Sequence, residues 1–112
     1  MTDRTVLVVD WPSRDVPESF VRDGYVTYVH GGPEPTDYSV FETRDDAIVE
    51  RSVDHAPERV DLVYVYRPVD ELPGIVAFAC GLGASEVWFA RTGNREIARE
   101  VVEAAGLRFV EP

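Results

Sequence analysis

Three arginines, Arg14, Arg67 and Arg91, each follow closely on an apolar run in this chain, and their type and placing could do chemistry. The runs are TVLVVD (5–10), VDLVYVY (60–66) and EVWFA (86–90). A guanidinium is a planar fork that grips phosphate or carboxylate bidentately, so three of them at one sheet edge would make a site for an anionic small molecule. Helix N-termini facing the same edge would add partial positive charge. Trp11 and Tyr66 stand beside these arginines and could stack a flat ring such as adenine. Ser13 and Thr92 lie in the same turns, Pro68 follows Arg67, and His30 ends another apolar run. The plainer alternative is that the arginines pair with Asp10, Asp15, Asp70 or Glu86 and that the aromatics cap the end of a core.

Other chemistries lack their residues. His30 and His55 are the only histidines, and neither has a cysteine or second histidine at ligand spacing, so no metal is expected. The single cysteine, Cys80, falls on the apolar side of a predicted helix and reads as a buried, inert thiol. Gly81-Leu82-Gly83 ends a helix, whereas a dinucleotide fingerprint must open one. A phospho-acceptor receiver needs an acidic pair after its first strand and an aspartate ending its central strand; here Asp10 precedes Trp11, and the corresponding strand ends in Tyr66. No Ser-His-Asp or Cys-His order stands out, and the expectation is a protein that is not an enzyme.

The elements that would position these residues follow from the apolar pattern. TVLVVD and VDLVYVY are apolar on both faces, which suits adjacent central strands, while YVTYVH (25–30) alternates. EVWFA and RFV (108–110) complete a rhythm of strand and helix that implies parallel pairing. Helices are predicted from about Val16 to Arg22, with Asp15 and Glu18 at capping-box spacing, from an Asp70 cap to about Leu82, and from about Arg95 to Ala105. The last carries Ile97, Ala98, Val101, Ala104 and Ala105 on one stripe. The middle is the least legible part: YSVFE (38–42) reads as a short edge strand and DDAIVERSVDHA as a helical turn or irregular structure. The expected fold is α/β, a three-layer Rossmann-like domain with a parallel sheet of about five strands ordered 3-2-1-4-5 or a shortened version of that order, its crevice at the carboxyl ends of the strands.

Composition narrows the partners. One domain over residues 1–112 is expected from 112 residues and 12.6 kDa. The formal charge of −10 and pI near 4.5 argue against nucleic acid and anionic membrane. All 11 basic residues are arginine, a composition that fits salt adaptation or a high-GC genome equally. With no apolar run of membrane-spanning length and no cationic leader before the first strand, a cytoplasmic location is the expectation.

Residues 61–90, DLVYVYRPVDELPGIVAFACGLGASEVWFA, followed by NREIAREVVEAAGLRFV (94–110), resemble the CoA-binding domain family, whose Rossmann-like fold also forms the nucleotide-binding part of the succinyl-CoA ligase alpha subunit. The features in common run in order: the Arg67-Pro68 pair after a strand, Pro73 in a helical first turn, the Gly81, Gly83 and Ala84 turn, Val87 and Trp88 in a strand, Gly93 in a loop, and Ala104 to Leu107 closing the last helix. The first half departs: where the family carries a glycine turn close to the nucleotide phosphates, this chain has Asp10, Trp11, Pro12, Ser13 and Arg14, and after the EVWFA strand it has Ala90, Arg91 and Thr92. The resemblance implies a non-enzymatic small-molecule-binding domain taking coenzyme A or a related nucleotide-like anion. Its site would draw on Trp11, Ser13, Arg14, His30, Tyr66, Arg67, Pro68, Arg91 and Thr92. The alternative is a protein-interaction or dimerisation module, a homodimer among its forms, that kept the fold and lost the ligand.

Overall fold

The computed structural model describes residues 4–31, 34, 36–91 and 93–112. One seven-stranded sheet carries β1 (Thr5–Val9), β2 (Val26–His30), β3 (Tyr38–Arg44), β4 (Ala47–Val53), β5 (Leu62–Val65), β6 (Glu86–Phe89) and β7 (Arg108–Val110), in the order β4-β3-β2-β1-β5-β6-β7. Helix α1 (Asp15–Arg22) lies on one face, and α2 (Leu72–Gly81) and α3 (Arg95–Ala104) lie on the other, giving the three layers expected. The two central strands are neighbours in parallel register, Val6 opposite Leu62 and Val9 opposite Val65. Their continuous apolarity has the predicted cause, since Val6, Leu7, Val8, Leu62, Val63 and Val65 are all fully buried.

Five strands, β2, β1, β5, β6 and β7, are parallel, but they are not the five expected. The predicted third strand runs antiparallel to β2 and pairs with β4 in a hairpin. The segment read as helical or irregular is therefore half strand. Asp45 and Asp46 sit at φ 52° and 64°, the two left-handed positions of a tight two-residue hairpin turn, and aspartate tolerates that region better than most side chains. Charges on the exposed β4 edge, Glu50 and Arg51 among them, hid its alternation.

The helices also differ in detail. No side chain caps α1, whose N-cap position falls on Arg14; Asp15 is the first helical residue and its carboxylate turns back to Trp11 and Ser13. Asp70 does not cap α2; it lies in a 3-10 turn, Val69–Glu71, that leads into it. Along α2 the inward line is Leu72, Val76 and Ala79, spaced i, i+4, i+7, which leaves Cys80 a further 100° round the helix. Cys80 is exposed, with its Sγ 4.0 Å from the Ala105 carbonyl oxygen, so the reading of a buried thiol is corrected. A thiol reagent is expected to label the native protein at a rate comparable to the unfolded chain, and protection of tenfold or more would contradict this exposure. On α3, Ala98 and Val102 face the sheet while Ile97 is 52% exposed and Ala104 and Ala105 lie outside the core.

Candidate functional site

β1 and β5 end side by side, and the chain leaves them in opposite directions, β1 toward α1 and β5 toward α2. This is where an open α/β sheet parts its loops and makes room for a ligand. The crevice here is about 530 Å³, lined by Val9, Asp10, His30, Gly31, Arg67, Glu71 and Ile75. Asp10 follows β1 at φ 60°, a left-handed conformation uncommon outside glycine, asparagine and aspartate. Its backbone N–H donates to the His30 carbonyl at 2.8 Å, which ties the first turn to the end of β2.

Arg67 is the centre of the crevice. Its Nη1 donates to Asp10 Oδ2 at 2.5 Å, and Nε and Nη2 make a bidentate fork on Glu71 at 3.1 and 2.6 Å. The hydrogen bonds to Glu71 and Asp10 hold the guanidinium well above its ordinary pKa, and those from Arg67 hold the Glu71 carboxyl below its own. All three side chains keep a third or more of their surface exposed, so solvent screens the pairing and a ligand can reach it. The arrangement carries one positive and two negative charges.

The first turn is closed on itself. Trp11 Nε1 donates to Asp15 Oδ1 at 2.6 Å and to Ser13 Oγ at 3.1 Å, and the Ser13 hydroxyl donates to the same Asp15 oxygen. The indole packs edge-on against Tyr64 and Tyr66, with ring centroids 5.7 and 5.1 Å apart. Asp15 thus places the chain's own carboxylate in the first turn of α1, where a ligand anion would otherwise be favoured. The Ser13 and Trp11 hydrogen bonds lower its pKa from the ordinary 3.8. A carboxyl whose pKa is lower in the folded state stabilises the fold above the unfolded value, and that stability is lost as pH falls through the folded one. Acid titrations of Tm are therefore expected to be less steep below about pH 4 in Asp15→Asn than in the wild type; parallel curves would show that ionisation of the Asp15 carboxylate adds nothing to folding stability.

The three arginines do not share a pocket. Arg14 turns toward the hairpin, pairing with Glu18 at 2.9 Å, donating to the Ile48 carbonyl at 3.3 Å, and standing over the Phe41 ring at 5.1 Å. Arg91 stands over the Tyr66 ring at 5.4 Å and lines a separate hollow of about 150 Å³ with Pro68, Val69, Asp70, Phe89, Gly93 and Asn94. Thr92 lies outside the described residues. Of the residues singled out from sequence, the crevice brings together Arg67 and His30; Trp11, Ser13 and Tyr66 are not among its lining residues and are engaged with one another or with Asp15. His30 lies against Tyr38, ring centroids 4.6 Å apart, with its Nε2 at 3.2 Å from the Glu34 carbonyl oxygen. Sequence reading passed over Glu71, whose i, i+4 spacing to Arg67 was a legible signal.

These observations limit how coenzyme A could fit. Pro12 offers no N–H to a diphosphate, and the Trp11 indole N–H and the Ser13 hydroxyl are committed to Asp15. The side chain that could hold an anionic group is Arg67, where Glu71 or Asp10 would have to give way. No group of three or more cysteines, histidines and acids among the described residues could hold a metal ion, and no helix there is long and apolar enough to cross a membrane.

Comparison with known proteins agrees with this architecture. The crystal structure of Prb, a PH1109 protein redesigned for binding, matches 97% of this chain and 75% of its own at a TM-score of 0.66 and 19% identity, a likeness of fold. No curated protein matches the chain. A family model described as CoA binding domain matches residues 8–112, which takes in β1 from Val8 onward and every later element that builds the crevice, and the chain belongs to that CoA-binding domain family.

Proposed function

We propose that this chain is a non-enzymatic small-molecule-binding domain that takes coenzyme A or a related nucleotide-like anion in the crevice between the ends of β1, β2 and β5. The observation that carries this reading is Arg67, a bidentate guanidinium at the point where the loops of β1 and β5 part, in a crevice of about 530 Å³. Ligand pockets usually measure about 300 to 1,000 Å³. A binding role is favoured over a catalytic one because the charged groups that line the crevice, Asp10, Arg67 and Glu71, are spent on one another. The ligand enters by exchange: its phosphate or carboxylate replaces Glu71 on the Arg67 fork, and the released carboxylate turns to water.

Calorimetry and thermal shift at low salt with coenzyme A, acetyl-CoA, ADP and NAD test the proposal. Binding heat is expected for the CoA compounds, and a ligand present at 100 times its dissociation constant should stabilise by about 2.7 kcal/mol. Silence at millimolar concentration with every compound would overturn it. The closed first turn of Trp11, Ser13 and Asp15 favours a second reading in that event, an interaction module that has lost its ligand, to be checked by the mass of the protein in solution.

A further inference from the structure

The charged crevice continues into a second hollow of different chemistry. About 370 Å³ in volume, it is lined by Leu7, Val9, His30, Tyr38, Gly74, Ile75 and Phe78, and it shares Val9, His30 and Ile75 with the crevice around Arg67. Its floor is the sheet: Leu7 pairs with Tyr28, Val9 with His30 and His30 with Tyr38, so these side chains share the α2 face. In a doubly wound sheet a right-handed crossover returning from the outer strands to β5 would lay a helix over this face, but here β4 passes to β5 without one. Phe78 on the wall is 42% exposed.

Gly74 is the second observation. It lies inside α2 with an ordinary helical backbone, where glycine is poorer than alanine, and a Cβ built there meets nothing within 4 Å. Neither backbone strain nor close packing calls for glycine at this position. Its effect is to leave open the wall of the apolar hollow one turn from the charged crevice. We propose that this hollow receives the acyl or other apolar arm of a ligand whose anionic part is held at Arg67. The protein would then distinguish acylated from unacylated ligand. This inference rests on the reading of the crevice as a site for a CoA-type anion.

The test is a chain-length series, coenzyme A with acetyl-, butyryl-, hexanoyl- and octanoyl-CoA, read by calorimetry on wild type and Gly74→Leu, with octan-1-ol followed by NMR at Ile75 and Phe78 as a probe that carries no phosphate. Affinity in the wild type is expected to rise two- to fourfold per methylene, the upper figure corresponding to full burial. Gly74→Leu should fold with a Tm equal to or above the wild type, bind coenzyme A equally well, and lose the dependence on chain length. Phe78→Ser should reduce the slope without filling the hollow. Equal affinity for coenzyme A and octanoyl-CoA would overturn the apolar arm while leaving the reading of the crevice intact. If the CoA series is silent but octan-1-ol shifts Ile75 and Phe78 in the wild type and not in Gly74→Leu, the hollow stands and the CoA reading falls. Silence of both probes overturns both.

Discussion

Arg67→Ala is expected to weaken coenzyme A binding by about ten- to a hundredfold, the range for loss of a charge-assisted, bidentate hydrogen-bond partner. Arg14→Ala should change it by less than about twofold, within the range of a distant screened charge. Both substitutions remove one positive charge from a protein of formal charge −10, so they alter the long-range field alike. They differ in place: Arg67 lines the crevice, whereas Arg14 is held by Glu18 and the Ile48 carbonyl over the hairpin. Low ionic strength is the right condition, because at about 0.1 M salt exposed charges are screened beyond roughly 10 Å. Equal losses in the two variants would mean that net charge, not the Arg67 fork, governs the affinity. The Arg67 variant should stay folded, since its ion pairs are more than a third exposed and such pairs add little to stability.

How far the site was legible in the sequence depended on whether its signal was local. Continuous apolarity over Val6 to Val8 and Leu62 to Val65 placed the two central strands side by side, because strands covered on both faces cannot afford polar positions. That in turn located the crevice at Arg67. The hairpin escaped because its turn, Asp45-Asp46, lacks the asparagine-glycine or aspartate-glycine signature, and because an exposed edge strand carries charges in place of a clean alternation. The expected convergence of three arginines failed for geometric reasons: the loop after β1 leaves toward the α1 layer and carries Arg14 over the hairpin, while Arg67 and Arg91, whose loops both lead into the α2 and α3 layer, follow successive strands and line separate hollows. The closed turn of Trp11, Ser13 and Asp15 depends on side-chain directions that spacing alone does not give.

Removing the carboxylates that occupy Arg67 should have the opposite effect to removing Arg67. Glu71 is ionised at neutral pH, its carboxyl held below the ordinary 4.5 by the Arg67 hydrogen bonds, and it competes with any incoming anion for the same guanidinium. Glu71→Gln is expected to raise coenzyme A affinity by up to about fivefold, the size of a screened surface ion pair. Asp10→Gly should add a similar gain and costs the backbone nothing, because the residue already sits at φ 60°, where glycine is the natural occupant. The double variant should bind about tenfold to twentyfold more tightly than the wild type if the two gains add, although residues sharing one partner often do not add fully. Its Tm should fall within a few degrees of the wild type. An affinity that stays the same or drops in the double variant would mean that Asp10 and Glu71 position the guanidinium for the ligand rather than compete with it. In that case the ligand would be one that these two carboxylates also contact, through its hydroxyls or amides, and replacing Glu71 with Asp would preserve binding better than replacing it with Gln.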